Sequence, residues 1–192
     1  MTHNLGDVRR MAGVTEVTIS RHFDHKLSDV WAMLTESARL ADWLAPGSIE
    51  LRDGGAAKLD FAQSGYIIDS KVTALDAPFL IEYSWSSPGQ TDRPIRWELS
   101  PTRVGTNLKL VITLPAEDDV ARACAGWEAH LDMLAAALEG VPIKFPFERF
   151  KAARGAYGEL LAHQTEGANT TPELDGLTRL AAALSSPHDD AR

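Results

Sequence analysis

Residues 95–140 read IRWELSPTRVGTNLKLVITLPAEDDVARACAGWEAHLDMLAAALEG. Up to Leu114 the apolar residues alternate: Ile95, Trp97 and Leu99, then, past a turn at Pro101 to Gly105, Leu108, Leu110, Ile112 and Leu114. A period of two marks a strand with one buried face. Pro115 ends that pattern and the period changes. Glu117, Asp118 and Asp119 form an acidic first turn that complements the positive end of a helix dipole. Cys124, Trp127, Leu131, Leu134 and Leu138 follow at helical spacing, and Gly140 with Pro142 closes the helix. The expected helix runs from about Asp118 to Glu139. It is the one element long enough to cover the apolar face of a sheet.

Upstream, the same alternation recurs between turns. Ile49 to Arg52 precedes the turn Asp53-Gly54-Gly55, and Ala57, Leu59 and Phe61 alternate after it. Past Ser64-Gly65, a longer strand places Tyr66, Ile68, Ser70, Val72 and Ala74 on one side. Asp76-Ala77-Pro78 turns the chain into Phe79, Ile81, Tyr83 and Trp85, and a polar loop from Ser86 to Pro94 leads to Ile95. Turns this short make successive strands antiparallel neighbours, because a parallel return takes a dozen or more residues. Further back, Thr15 to His22 sets Val17, Ile19 and Arg21 against Glu16, Thr18 and Ser20, which is one more strand. Two short helices follow it, one with Leu27, Val30, Trp31 and Leu34 on a face, the other with Leu40, Trp43 and Leu44. Pro46-Gly47 ends the second. A last helix is expected from about Phe147 to His163, presenting Phe147, Phe150, Tyr157 and Leu161.

The chain has 192 residues, 44% hydrophobic and 24% charged, an ordinary globular composition. The expected organisation is a flexible lead-in over 1–14, a domain over 15–163, and an acidic tail over 164–192. All fourteen aromatic residues lie between Phe23 and Tyr157. In the tail, Thr171-Pro172-Glu173 is a helix-start signal, and Leu174, Leu177, Leu180, Ala181 and Leu184 recur at helical spacing, so a short amphipathic helix is expected there. A net charge of −8 argues against nucleic acid and anionic lipid as partners. One cysteine, Cys124, excludes an internal disulfide, and no ligand spacing for a metal is present. Neither a secretory h-region nor a membrane-spanning apolar run is found, so a cytoplasmic protein is expected.

Taken together, Val30-Trp31-Ala32-Met33-Leu34-Thr35 with Trp43, Asp53-Gly54-Gly55, Leu80-Ile81-Glu82-Tyr83-Ser84-Trp85, Ile95-Arg96-Trp97-Glu98-Leu99, Gly105-Thr106-Asn107-Leu108-Lys109-Leu110, Gly126-Trp127 with Leu131, and Phe145-Pro146-Phe147-Glu148-Arg149-Phe150 form an ordered series. From about Thr15 to Leu161 that series resembles the Hsp90-ATPase-activator-homologue family of the START/Bet v 1-like (SRPBCC) superfamily. The resemblance implies an α+β helix-grip fold: a curved antiparallel sheet of six to seven strands wrapped around a long C-terminal helix, with two short helices after the first strand. It also implies an apolar or amphipathic small molecule, lipids included, between sheet and helix. Some superfamily members cyclise or dehydrate polyketides. The namesake co-chaperone is similar only in its C-terminal domain, so an Hsp90-type chaperone is implied less directly as a partner.

The expected ligand-binding residues are Trp43, Tyr66, Tyr83, Trp85, Trp97, Trp127, His130, Leu131 and Leu134. Large rings beside small residues such as Ala57, Ser70 and Ala74 either interlock as a dry core or line a pocket with a few polar tips. His130 borders the helix stripe, as a pocket donor or general base in one reading and as a hydrogen-bonded boundary residue in the other. With Tyr66 or Tyr83 it is the best available catalytic pair, but the residues carry no strong catalytic signature, and no catalytic residue, metal or cofactor is expected. Glu128 and Asp132, four apart on the helix, read as its solvated face. Arg96 and Glu98 read as a surface pair, and Cys124 as a buried inert thiol. Three functions remain: a hydrophobic-ligand binder, a protein-interaction module such as a homodimer or chaperone partner, and a cyclase-like enzyme.

Overall fold

The computed structural model describes residues 5–61 and 65–169. Its elements run β1 (Asp7–Met11), β2 (Val14–Phe23), α1 (Leu27–Thr35), α2 (Ser37–Trp43), β3 (Gly47–Ile49), β4 (Ala56–Phe61), β5 (Tyr66–Asp76), β6 (Leu80–Ser84), β7 (Pro94–Thr102), β8 (Gly105–Pro115), α3 (Val120–Leu138) and α4 (Phe147–Asn169). The strands form one antiparallel sheet in the order β1-β2-β8-β7-β6-β5-β4-β3. Five short turns therefore build a meander from β3 to β8. The chain's early strand then closes it, β2 pairing along its whole length with β8, from Val14 opposite Pro115 to Phe23 opposite Thr106. This is the expected α+β grip fold.

The alternating residues face inward as their period requires. Val17, Ile19, Ile95, Trp97, Leu99, Leu108, Leu110 and Ile112 are all buried. Against them α3 turns Cys124, Trp127, Leu131 and Leu134, also buried. The ring of Trp127 meets that of Trp97 at 5.4 Å, which fixes helix on sheet. Helices α1 and α2 are tied together by the Trp43 indole, which donates to the Met33 carbonyl at 2.8 Å. At the end of α3, Gly140 adopts φ +75°, where an L side chain is strained. Its N–H bonds to Ala137 and the N–H of Val141 reaches back to Ala136, a Schellman closure.

Two differences from the sequence reading have physical causes. The sheet has eight strands rather than six to seven, because residues 7–11 of the expected loose lead-in pair with β2 as β1. That strand buries only Val8, so it carries almost no alternation to read. Second, α3 begins at Val120, and the three acids precede it instead of filling its first turn. Asp119 is the N-cap and accepts the Arg122 N–H at 2.9 Å. Asp118 forms a two-pronged pair with Arg93, at 2.6 and 2.9 Å. Among the described residues one compact unit extends to Tyr157, and 158–169 continue as helix. The amphipathic helix expected near Leu174 lies outside the described residues. No helix among the described residues is long and apolar enough to cross a membrane.

Candidate functional site

The rings of the sheet–helix interface form a continuous column. Trp43 meets Trp97 edge-on at 6.0 Å, Trp97 meets Trp127 at 5.4 Å, Trp127 meets Trp85 at 4.7 Å, and Trp85 meets Phe61 at 5.6 Å. Edge-to-face contacts of this kind are favourable beyond the area they bury. The inner part of the column is dry core: Trp43, Tyr83, Trp97, Trp127, Leu131 and Leu134 are at most 5% exposed. Burial pushes the Tyr83 phenol up, against a hydrogen bond with the Trp97 side chain. These six expected site residues interlock and serve as wall.

The outer end differs. Phe61, Tyr66, Trp85, Gly126, His130 and Phe145 are all half-buried. Tyr66 opens β5 directly opposite Phe61, the last residue of β4. Trp85 is the first residue past β6, held there by the bond from its N–H to the Arg93 carbonyl at 2.7 Å. The Ser84 hydroxyl, which accepts the Arg93 N–H at 2.9 Å, steadies the same loop. Phe145 comes from the α3–α4 connection, 5.5 Å from the His130 ring and 5.7 Å from Phe150. Ring contacts thus bring Trp85, Phe61, His130 and Phe145 together, with Tyr66 across the strand pair from Phe61; Phe61 and Phe145 were not among the expected site residues. Phe61 shows in the sequence only as one alternating strand residue. Phe145 falls in a second aromatic cluster with nothing local to join it to the first.

His130 sits where these rings converge, with Phe61 at 6.3 Å and Trp127 at 5.8 Å. Burial dominates its titration and lowers its pKa to about 4, while a hydrogen bond to the backbone of Trp43 acts the other way. A backbone group that favours the protonated ring is a carbonyl, which accepts from an imidazole N–H. Nδ1 of the ring is buried with no hydrogen-bond partner among the described residues. With a pKa near 4 the ring is neutral near pH 7. Among the described residues no carboxylate pairs with it.

Beneath the helix lies a charged cluster that corrects the reading of Glu128 as solvated. Glu128 is 1% exposed. It pairs with the buried Arg21 of β2, accepts the Tyr157 hydroxyl at 2.8 Å, and has the Arg149 guanidinium at 3.7 Å. Arg149 also reaches Asp132 at 3.2 Å. The helix turns Glu128 inward beside Trp127 because Arg21, an apparent misfit in the inward row of β2, waits there. Cys124 behaves as expected: burial, with Glu128 nearby, pushes its thiol up to about 12. Arg96 and Glu98 pair at 2.8 Å on the outer face, joined by Glu82 and Lys109. Among the described residues no group of three or more His, Cys, Asp or Glu is placed to hold a metal ion.

Comparison with known proteins agrees with this architecture. Residues 24–139 match the family model described as Activator of Hsp90 ATPase homolog 1-like protein. Among solved structures, CalU16 from Micromonospora echinospora is 22% identical, with a TM-score of 0.67 over 82% of this chain and 98% of that one. EF2215 from Enterococcus faecalis, a conserved protein of unknown function, is 19% identical, with a TM-score of 0.68 over 82% and 91%. DynU16, a protein of the dynemicin biosynthetic locus, is 25% identical, with a TM-score of 0.61 over 66% of this chain and 48% of that one. No curated protein matches the sequence.

Proposed function

The chain belongs to the Activator of Hsp90 ATPase homolog 1-like family, and from that premise we propose that it binds a hydrophobic or amphipathic small molecule at the mouth between sheet and long helix. The family fold supports a ligand-binding or polyketide-cyclase-like role in general, and the residues here favour the first. What carries the reading is the half-buried set Phe61, Tyr66, Trp85, His130 and Phe145, continuous with a packed aromatic wall. Burying such rings against an apolar guest is the largest free-energy gain this region offers. The seat is a shallow mouth with Trp43, Tyr83, Trp97, Trp127, Leu131 and Leu134 behind it.

Native mass spectrometry of detergent-free protein, followed by denaturing release, tests the reading. An extra mass that disappears on denaturation is expected. A bare chain, together with tryptophan fluorescence unmoved by any apolar probe, would reject it. A second reading has its own observation. Val141 and Phe147 are 65% and 67% exposed at the α3–α4 connection, and Ile143 between them is 41% exposed. An apolar surface of that kind suits a protein partner, a second copy or a chaperone. Sedimentation across a range of concentrations separates self-association from this alternative.

A further inference from the structure

We propose that Arg93 and Asp118 are the positioning pair of the mouth: by tying the sheet to the start of α3 they hold Trp85 against Trp127, and so set how readily a guest enters. The consequence for entry rests on the ligand-binding reading above; the hold on Trp85 does not.

The two indoles come from different layers. Trp127 belongs to α3, whereas Trp85 is the first residue past β6, and their centroids are 4.7 Å apart. On the sheet side Trp85 is firmly placed. Its N–H donates to the Arg93 carbonyl at 2.7 Å, and the Arg93 N–H donates to the Ser84 hydroxyl at 2.9 Å. The Ser70 hydroxyl donates to the Ser84 carbonyl at 2.7 Å, and the Asp69 N–H reaches the Ser86 carbonyl at 3.3 Å. These bonds fasten the β6–β7 loop to the sheet, and none of them touches the helix.

Arg93, whose carbonyl holds the Trp85 N–H, supplies the tie to the helix with its side chain. It donates from Nε and Nη2 to the two oxygens of Asp118, at 2.6 and 2.9 Å, and Nη1 donates to the Thr91 carbonyl at 3.0 Å. A two-pronged guanidinium–carboxylate pair fixes orientation as well as distance. The two side chains are 24% and 20% exposed, so salt and solvent screen them less than an open surface pair. Asp118 directly precedes Asp119, the N-cap of α3. The strand end that carries Trp85 is thereby joined to the helix that carries Trp127. Trp85 also meets Phe61 at 5.6 Å, so an outward shift of this one residue breaks both ring contacts and parts the mouth.

The test uses the full chain with Trp31→Phe throughout, so that acrylamide quenching reports Trp85, since Trp43, Trp97 and Trp127 are at most 5% exposed. Asp118→Asn keeps the shape of the side chain and removes its charge. It is expected to raise the quenching constant about threefold and to shrink the coupled-indole signal in circular dichroism, with the helix signal unchanged. Arg93→Gln breaks the pair from the sheet side and should do the same. Asp118→Glu keeps both acceptor oxygens and should stay within about twofold of the parent chain. Entry is followed with N-phenyl-1-naphthylamine, an uncharged dye whose attraction to the protein does not change with the lost charge. Both loosened chains should take it up at least tenfold faster. Lower denaturation midpoints in Asp118→Asn and Arg93→Gln, with quenching and dye uptake unchanged, would show that the pair only stabilises, and would overturn the proposal. Loosening by Asp118→Glu equal to that by Asp118→Asn would overturn it as well. Stronger quenching in the two broken chains, with dye bound by no chain, would bring down the binding reading and leave the positioning pair standing.

Discussion

The hydroxyl of Tyr157 donates to Glu128 at 2.8 Å and at the same time accepts the N–H of Gly6 at 2.6 Å. One phenol thereby joins the first residues of the chain to α3 and α4. Burial pushes that phenol up, and the neighbouring Glu128 carboxylate pushes it the same way. Replacing it tests what the join contributes. Tyr157→Phe leaves the Gly6 N–H without its acceptor and takes one donor from a buried carboxylate. A loss of about 1–3 kcal/mol is expected by urea denaturation. Glu128→Gln goes further, stranding the buried Arg21 guanidinium, and should cost on the order of 3–5 kcal/mol. A Glu128→Gln chain as stable as the wild type would mean that the Arg21 pair contributes nothing net.

Acid should weaken the fold through His130. Its pKa lies near 4 in the folded chain and about 6.5 in an unfolded one. Between those values the unfolded chain binds the proton and the folded chain does not. Stability is therefore complete above about pH 6.5 and falls as pH drops towards 4, by a contribution on the order of 1–3 kcal/mol. Denaturation midpoints at pH 7 and pH 4.5 measure the fall, and His130→Phe should make it smaller by that contribution. An identical fall in both chains would contradict this.

The thiol of Cys124 should be silent. It is wholly buried, with a pKa pushed up to about 12, so almost no thiolate exists near neutral pH. A disulfide-exchange reagent is expected to leave native protein unmodified over hours and to label one site per chain once guanidinium is added. Rapid labelling of the native chain would show that α3 opens from the sheet.

Both ends of α3 are under local control. Asp119→Ala removes the N-cap acceptor of Arg122 and one partner of Arg154, for an expected loss of about 1 kcal/mol. Gly140→Ala places a side chain at φ +75°, with a cost of about 1 kcal/mol. Since the two sites are at opposite ends, the double variant should lose close to the sum in thermal denaturation.

Most of the architecture was legible because the sheet is a meander whose strands alternate cleanly. Ile95, Trp97 and Leu99 in one strand and Leu108, Leu110 and Ile112 in the next need no tertiary context to declare a buried face. The misread residues are those whose role depends on something distant in sequence. Glu128 lies beside the stripe of α3, where acids are ordinarily solvated, and Arg21 across the core, with Tyr157 and Arg149, holds it inside. Asp7–Met11 shows no alternation, since its strand character comes from pairing with β2. The candidate site divides in the same way. Rings are visible in a sequence, but whether a ring becomes wall or mouth is decided by neighbours that arrive from other elements. Trp97 and Trp85 read alike; one ended in the core and the other, just past a strand end, at the surface.

The clasp of β2 onto β8 also sets an order of events during synthesis. The first long strand to be made pairs with the last. At about 5–20 residues per second, β2 waits on the order of ten seconds for its partner. Throughout that interval Val17 and Ile19 have only the short β1 beside their strand. The meander from β3 to β8, linked by short turns, can assemble as it emerges, and β1 can pair with β2 at once, whereas the β2–β8 ladder has to close a long loop before any of its bonds reward it. Folding of this chain is thus gated by its first long strand. A nascent-chain holdase that shields residues 14–23 would act at the one point where the protein is most exposed to wrong partners.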